Sequence, residues 1–248
     1  MTGSASGRSL ADSIAVIIPA LNEEASIDGV VRAIRAHAIS RIIVADGGSR
    51  DETAARARAA GAVVIDAGRG YGRACLRGAE AADTADVLVF MDGDGADDPS
   101  QLSLLVEPIL SGQYDFVIGS RVRGDRAPGS MAWHQILAGL LFGLAIRAFY
   151  GVRYTDMCAF RAIHRDVLLD LGMSEMTYGW NIEMQMLTAR EGLRILEIPV
   201  AYHCRTGGLS KVAGSLRGTI RAATAIASTF VRVAMRKRAS VTAGLRST

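Results

Sequence analysis

The chain has 248 residues, half of them hydrophobic, enough for one large core or two small ones. Its net charge of +3 hides an asymmetry: from Ile198 to Thr248 there are nine Lys or Arg and no Asp or Glu, leaving residues 1–197 with 19 positive and 25 negative side chains. The scattered Cys75, Cys158 and Cys204 argue against a zinc site and for reduced thiols, each a small core residue in a cytosolic protein, and the longest uncharged apolar stretch, Gln135–Ile146, is too short to span a bilayer.

The first ten residues are Gly/Ser-rich and carry no apolar segment, so disorder is expected over residues 1–12 and no signal peptide is expected. Ile14–Pro19 reads as a buried strand stopped by proline, and a helix follows from Asn22 to about His37. Arg41–Ala45 is a second strand, with a helix from Asp51 to about Ala60. Ala62–Ile65 is a third, after which Gly68–Gly72 leads into a helix ending near Ala82. Val87–Met91 is a fourth. Strands alternating with helices imply βαβ units and a mainly parallel sheet. Ligands of such sheets sit at the carboxyl ends of the strands. The polar, glycine-bearing connections Pro19–Glu23, Asp46–Asp51, Gly68–Gly72 and Asp92–Asp98 all fall on that rim. Further on, Phe116–Ser120 is a strand, Met131–Tyr150 a mostly apolar helix, Arg161–Leu171 a helix, Asn181–Arg190 a helix and Arg194–Val200 a strand. Arg205–Lys211 is a loop, and a last helix runs from about Leu216 to Arg238.

The segment Val87-Leu-Val-Phe-Met-Asp-Gly-Asp-Gly-Ala-Asp-Asp-Pro99 carries the most chemistry. Five apolar residues run straight into Asp92-Gly-Asp94, and Gly93 and Gly95 allow a turn there. Hard cations such as Mg²⁺ or Mn²⁺ are held by one or two carboxylates plus substrate phosphates, so this is a candidate metal–diphosphate site; the bland alternative is a solvated acidic turn. An EF-hand is excluded, because position 6 would be Asp97 and position 12 Ser103. Asp97 and Asp98 are expected to cap the next helix. No dinucleotide-binding or Walker glycine pattern is complete. The Asp46-Gly-Gly-Ser49 turn either caps a helix, through Ser49 or Asp51, or its Asp46 hydrogen-bonds a base or ribose. Arg121, Arg205 and Lys211 are ordinary surface charges by default, yet Arg205-Thr-Gly-Gly-Leu-Ser210-Lys211 places two cations and two glycines around a hydroxyl, which suits a loop closing over phosphates. His134, His164 and His203 share no spacing that suggests a ligand or base role. On the last helix Arg217, Arg221, Arg232 and Arg236 fall within an arc of about 100°. Leu216, Ile220, Ala223, Ala227, Phe230, Val231 and Ala234 lie opposite. Either the helix packs on the domain with a solvated basic face, or it lies in the headgroup layer of an anionic membrane, where Gln135–Ile146 could join it.

Taken in order, Ile18-Pro-Ala-Leu-Asn-Glu-Glu24, Ala45-Asp-Gly-Gly-Ser-Arg-Asp51, Gly70-x-Gly72-x-Ala74, Met91-Asp-Gly-Asp94 with Pro99, Gly119-Ser-Arg121, Thr155–Arg161, Tyr178–Glu183 and Gly207–Lys211 resemble the family-2 glycosyltransferases of the GT-A fold, closest to dolichol- or polyprenyl-phosphate sugar synthases. The resemblance covers about residues 13–215 and implies an α/β GT-A (Rossmann-like) domain there, with residues 216–248 as an amphipathic basic helix and tail. It implies that Pro19, Asn22, Glu23, Asp46, Gly70 and Asp92 hold the nucleotide, and that Asp92 and Asp94 bind Mg²⁺ or Mn²⁺. It makes Asp94, Arg121 and Arg205 the catalytic groups, and gives Arg161, Ser210 and Lys211 to the acceptor or its phosphate. The expected reaction is inverting transfer from a UDP- or GDP-sugar to a polyprenyl phosphate. A phosphate acceptor, largely dianionic at neutral pH, needs no protein base. A hydroxyl acceptor on a soluble glycan would need one, with Asp156 and Glu183 as candidates. A nucleotidyltransferase and a non-enzymatic membrane-surface adaptor are the remaining alternatives. The expected setting is the cytoplasmic membrane face, held through the basic helix, with no nucleic-acid partner. A membrane-protein partner or a second copy of the chain is left open.

Overall fold

A computed structural model describes residues 13–207 and 216–236. Seven strands form one sheet: β1 (Ile14–Ala20), β2 (Ile42–Asp46), β3 (Val63–Asp66), β4 (Val87–Phe90), β5 (Phe116–Ser120), β6 (Arg161–His164) and β7 (Ile195–Pro199). Their order is β3-β2-β1-β4-β6-β5-β7. Every pairing is parallel except those of β6, which runs antiparallel to both β4 and β5. The helices are α1 (Ile27–Ala36), α2 (Thr53–Ala59), α3 (Tyr71–Ala81), α4 (Leu102–Leu110), α5 (Trp133–Tyr150), α6 (Arg165–Asp170), α7 (Trp180–Arg190) and α8 (Leu216–Met235). The chain passes from β1 outward to β3 and then returns to the other side of β1 as β4. The crevice between the ends of β1 and β4 is therefore the switch point at which such sheets take their ligands.

β1 and β4 are buried along their whole lengths, as continuous apolar runs in a two-sided sheet must be. Pro19 does not stop β1; the strand continues to Ala20, which pairs with Asp46. Residues of β1 alternate between their neighbours, and Ile17 is the last to face β4, accepting from Met91 N–H. Pro19 therefore points its missing N–H where β4 has already ended, so no ladder bond is lost. Helix α1 begins at Ile27, five residues later than expected, because Asn22–Ser26 is diverted into a turn with Asn22 left-handed at φ 51°.

The expected helix Arg161–Leu171 divides: Arg161–His164 is strand β6 and only Arg165–Asp170 is helical. Short apolar runs carry no decisive period, and pairing on both sides makes this one a strand. Helix α7 is buried on nearly every side, including Trp180, Ile182, Met184 and Leu187. It forms the floor under the second half of the site. Cys75 and Cys158 are core residues as expected, but Cys204 is exposed.

Helix α8 packs through Ala222, Ile226, Thr229, Phe230 and Val233, a sector between the arginine arc and most of the expected apolar face. Of that face, Phe230 and Ala234 reach the domain, while Ile220 and Val231 are exposed. Among the described residues no helix is long and apolar enough to cross a membrane. Residues 1–12, where disorder is expected, lie outside the described residues, as do Ser210 and Lys211.

Candidate active site

The first wall is built by stitching the loop after β1 to the loop after β2. Ser49 Oγ accepts from Asn22 N–H at 2.9 Å, and Asn22 Oδ1 accepts from Arg50 N–H at 2.9 Å. Thr53 Oγ1 accepts from Glu23 N–H at 2.8 Å. Asp46, at the end of β2, turns back on its own loop and accepts from Ser49 N–H and Oγ–H. Pro19, Asn22, Glu23 and Asp46 thus converge at the carboxyl ends of β1 and β2, as their spacing predicts. The capping alternative is met by Asp51, whose Oδ1 accepts at 3.1 Å from the N–H of Thr53, the first residue of helix α2, while Ser49 bonds across to Asn22.

The acidic loop after β4 forms the opposite wall. Asp92 accepts from the Tyr71 hydroxyl at 3.2 Å, and Asp94 Oδ1 accepts from Ala96 N–H at 3.0 Å. Gly95 makes the turn at φ +77°; a side chain there would meet Thr206 Oγ1 at 2.5 Å. Asp97 departs from the expected capping role. Only Asp98 caps, accepting from Ser100 N–H at the start of the Pro99–Gln101 turn. Asp97 is buried behind the site and accepts from Asp92 N–H at 3.0 Å. Burial raises the pKa of Asp97, with Asp92's charge adding to it. Burial likewise raises Asp92's, and Asp94 adds to it. Three carboxylates of like charge crowd one loop.

The segment after β7 lies along this loop. His203 N–H donates to Ala96 C=O at 2.8 Å, and Thr206 N–H to Asp94 C=O at 3.0 Å. That pairing carries Arg205 over the crevice. Its Nη2 lies 3.3 Å from Glu23 and 3.6 Å from Asp94, bridging the two walls. Tyr202, in the same segment, stacks on Arg121, with the guanidinium carbon 5.0 Å from the ring centre. Nothing in the sequence marks Tyr202, Thr206 or Asp97 for these positions.

Arg121 is not a free surface cation. Its Nε and Nη2 donate to Asp156 at 2.7 and 2.8 Å in a bidentate pair, with side-chain exposures of 15% and 2%. Burial alone would weaken both charges. Mutual attraction outweighs it, raising the pKa of Arg121 and lowering that of Asp156. Asp156 is held in turn by Glu197, which accepts from Thr155 and Asp156 N–H, and by Gln185, whose amide donates to Asp156 C=O at 2.9 Å. Arg161 must be reassigned. It is wholly buried in β6 and donates to the carbonyls of Asn181 and Cys158, so it supports the floor and does not reach an acceptor. Glu183 is consumed as well: its oxygens accept from Ser174 N–H, Ser174 Oγ–H and Glu175 N–H at 2.7–3.0 Å.

The loop that Glu183 holds closes the glycine turn. Gly70 sits at φ +127°, and a Cβ there would lie 2.4 Å from Met176 O. Gly72 and Arg73 donate to Thr177 and Met176 C=O, so two of the first N–H groups of α3 are spent within the chain. Gly70 leads directly into Tyr71, whose hydroxyl donates to Asp92.

Residues 15–172 match the sequence model of glycosyl transferase family 2. The chain belongs to glycosyl transferase family 2. It is 38% identical over 212 residues to an uncharacterized glycosyltransferase of Mycobacterium tuberculosis, covering 84% of this chain and 94% of that one. It is 30% identical over 216 residues to the polyprenol monophosphomannose synthase of Mycolicibacterium smegmatis, covering 81% of each. Among solved structures it resembles glucosyl-3-phosphoglycerate synthase of Mycobacterium tuberculosis in complex with Mn²⁺, UDP-glucose and phosphoglyceric acid. The TM-score is 0.71 at 25% identity, over 90% of this chain and 79% of that one. The family-2 chain is thus a glycosyltransferase of the GT-A fold.

The residues fit a divalent cation. Asp92 and Asp94 crowd their charges at the switch point, and among the described residues no third donor joins them in a metal cluster. A hard cation bound by two carboxylates completes its coordination with diphosphate oxygens and water.

Proposed function

We propose that this glycosyltransferase moves a sugar, with inversion, from a nucleoside diphosphate sugar to a polyprenyl phosphate. One observation carries the choice of acceptor: the two carboxylates that the sequence offers as a base for a hydroxyl acceptor are both spent. Asp156 neutralises Arg121, and Glu183 caps a loop. A phosphate dianion attacks without a base. The likeness to a polyprenol monophosphomannose synthase supports the same acceptor class.

In this reading a phosphate oxygen attacks the anomeric carbon, the bond from that carbon to the diphosphate breaks, and the nucleoside diphosphate leaves with the electron pair. Mg²⁺ or Mn²⁺, held by Asp92 and Asp94 against the diphosphate, would supply Lewis-acid stabilisation of the leaving group. Asn22, Glu23 and Asp46 shape the nucleotide wall. Arg205 spans that wall and the acidic loop, so it can exchange carboxylate partners for phosphate oxygens as charge develops. Arg121 is immobilised by Asp156 and acts from a fixed position. Its Nη1 is not engaged by Asp156.

The likeness to glucosyl-3-phosphoglycerate synthase favours a second reading, a small soluble phosphorylated acceptor. Labelled UDP- and GDP-sugars, each with Mn²⁺ or Mg²⁺, are offered polyprenyl phosphate, phosphoglyceric acid or free glycans. Label passing into the organic phase only with polyprenyl phosphate is expected. Transfer confined to a soluble acceptor would overturn the lipid reading.

A further inference from the structure

Helix α5 leaves an apolar stripe uncovered. At 100° per residue Trp133, Leu137, Leu140, Leu141, Leu144 and Ala148 fall within an arc of about 100°, along about 22 Å of helix. All six are exposed, Trp133 by 75% and Leu144 by 63%. The opposite side is fixed to the domain: a Cβ on Gly143 would lie 2.0 Å from Tyr154 O, so the two backbones are in close contact. The exposed side is therefore not a core face awaiting a small rotation.

Helix α8 adds to the same surface. Phe230 packs on Phe142 and Phe149 of α5, with ring centres 5.8 and 5.7 Å apart. Its outward sector carries Ile220, Val231 and Met235, exposed by 54%, 52% and 74%. Arg221 and Arg236 line one flank of that sector beside Arg232, which is paired with Glu175, and Arg147 lies at the edge of the α5 stripe. Neither helix contains an acidic residue. Apolar stripes edged only by arginines are complementary to one surface, an apolar layer beneath anionic headgroups.

We propose that α5 and α8 together form a docking face that seats the enzyme on an anionic lipid bilayer without crossing it. Both helices bear on the site. Gly139 of α5 lies against Thr155–Asp156, the turn that fixes Arg121. Thr229 and Arg232 of α8 bond to Glu175, in the loop that closes the glycine turn. Docking at this face would bring the enzyme to the lipid layer in which a polyprenyl phosphate resides. The benefit to catalysis rests on the acceptor proposed above; docking itself does not.

The two are tested apart. Binding is measured by co-sedimentation of the full chain with acceptor-free vesicles of phosphatidylglycerol and phosphatidylcholine, and with phosphatidylcholine alone. Trp133 is an internal probe, because the only other tryptophan, Trp180, is fully buried. Anionic vesicles should bind the chain, shift its emission to the blue, and release it as salt rises. Leu140→Asp with Leu144→Asp, or Arg221→Glu with Arg236→Glu, should weaken binding roughly tenfold or more. Each pair should keep the wild-type circular dichroism, and turnover on an acceptor dispersed in detergent should be unchanged. Equal binding to both vesicles, no blue shift, or full binding by both double variants would overturn the proposal. So would a dimer in solution that the leucine variants dissociate, since a second copy would then cover the face. Failure of lipid-acceptor turnover with vesicle binding intact would instead refute the acceptor reading.

Discussion

Asp156→Asn tests the claim that Arg121 is held by an ion pair and not by shape alone. The substitution keeps the side-chain outline and one acceptor oxygen, but leaves a guanidinium that is 15% exposed without its counter-charge. Removing one partner of a buried pair costs about 3–5 kcal/mol. Stacking on Tyr202 is retained, so about 3 kcal/mol is expected, a shift of roughly 1 M in the midpoint of urea unfolding. The pH dependence gives a second readout. Arg121 depresses the folded pKa of Asp156 against the opposing effect of burial. The contribution is therefore fully present above the unfolded value of about 3.9, and is lost as pH falls through the lower folded value. The gap between wild type and variant should be widest near neutrality and close below about pH 4. A loss under about 1 kcal/mol, or a gap that does not narrow in acid, would refute the ion-pair account.

Further outcomes follow from the site and from the proposed acceptor. Asp94→Ala should lower turnover by about a hundredfold or more while the melting temperature moves by only a few degrees. A chelator should reproduce that loss in the wild type, with activity restored by added Mn²⁺. Gly70→Ala places a Cβ against Met176 O in a backbone region closed to alanine, and should cost about 2 kcal/mol or more in chemical denaturation. The acid limb of kcat/KM should follow the acceptor: a phosphonate analogue of higher pKa should move the limb upward, whereas an enzyme base would leave it in place. A thiol reagent should titrate one cysteine in the native protein, Cys204, because Cys75 and Cys158 are buried with their pKa values raised by desolvation.

The nucleotide half of the fold was legible because its signals are local. Each strand ends in a turn whose glycines and carboxylates are contiguous in sequence, so Pro19–Glu23, Asp46–Asp51 and Asp92–Asp94 could be placed on one rim from alternation alone. What stayed hidden depends on segments far apart in the chain. Arg121 reads as a lone cation until Asp156, 35 residues later, is brought to it by a strand that runs against its neighbours. Asp97 reads as a cap, since a carboxylate before Pro99 fits that role; the neighbouring Asp98 takes it, and Asp97 turns inward to Asp92. Tyr202 sits in no motif, and its place is set by β7 returning beside β5.

The same distinction explains the wrong assignment of Arg161 and the hidden pairing of Arg121. A sequence shows where arginines are, but their availability depends on what else is buried with them. Arg161 lies on β6, the one strand antiparallel to both neighbours, and its side chain is covered entirely, with two carbonyls as acceptors. Arg121 is pinned, and only Arg205 among the described candidates stands between the two walls on partners it can exchange. A transferase needs charge compensation that strengthens as the diphosphate leaves. A cation already neutralised by Asp156 presents little net charge to the departing diphosphate. On the proposed mechanism, a cation bridging Glu23 and Asp94 at 3.3 and 3.6 Å can shift toward the developing charge, and the differential stabilisation would come from Arg205. Arg205→Lys should accordingly lower kcat more than it raises KM for the donor, while Arg121→Lys should lose stability along with activity.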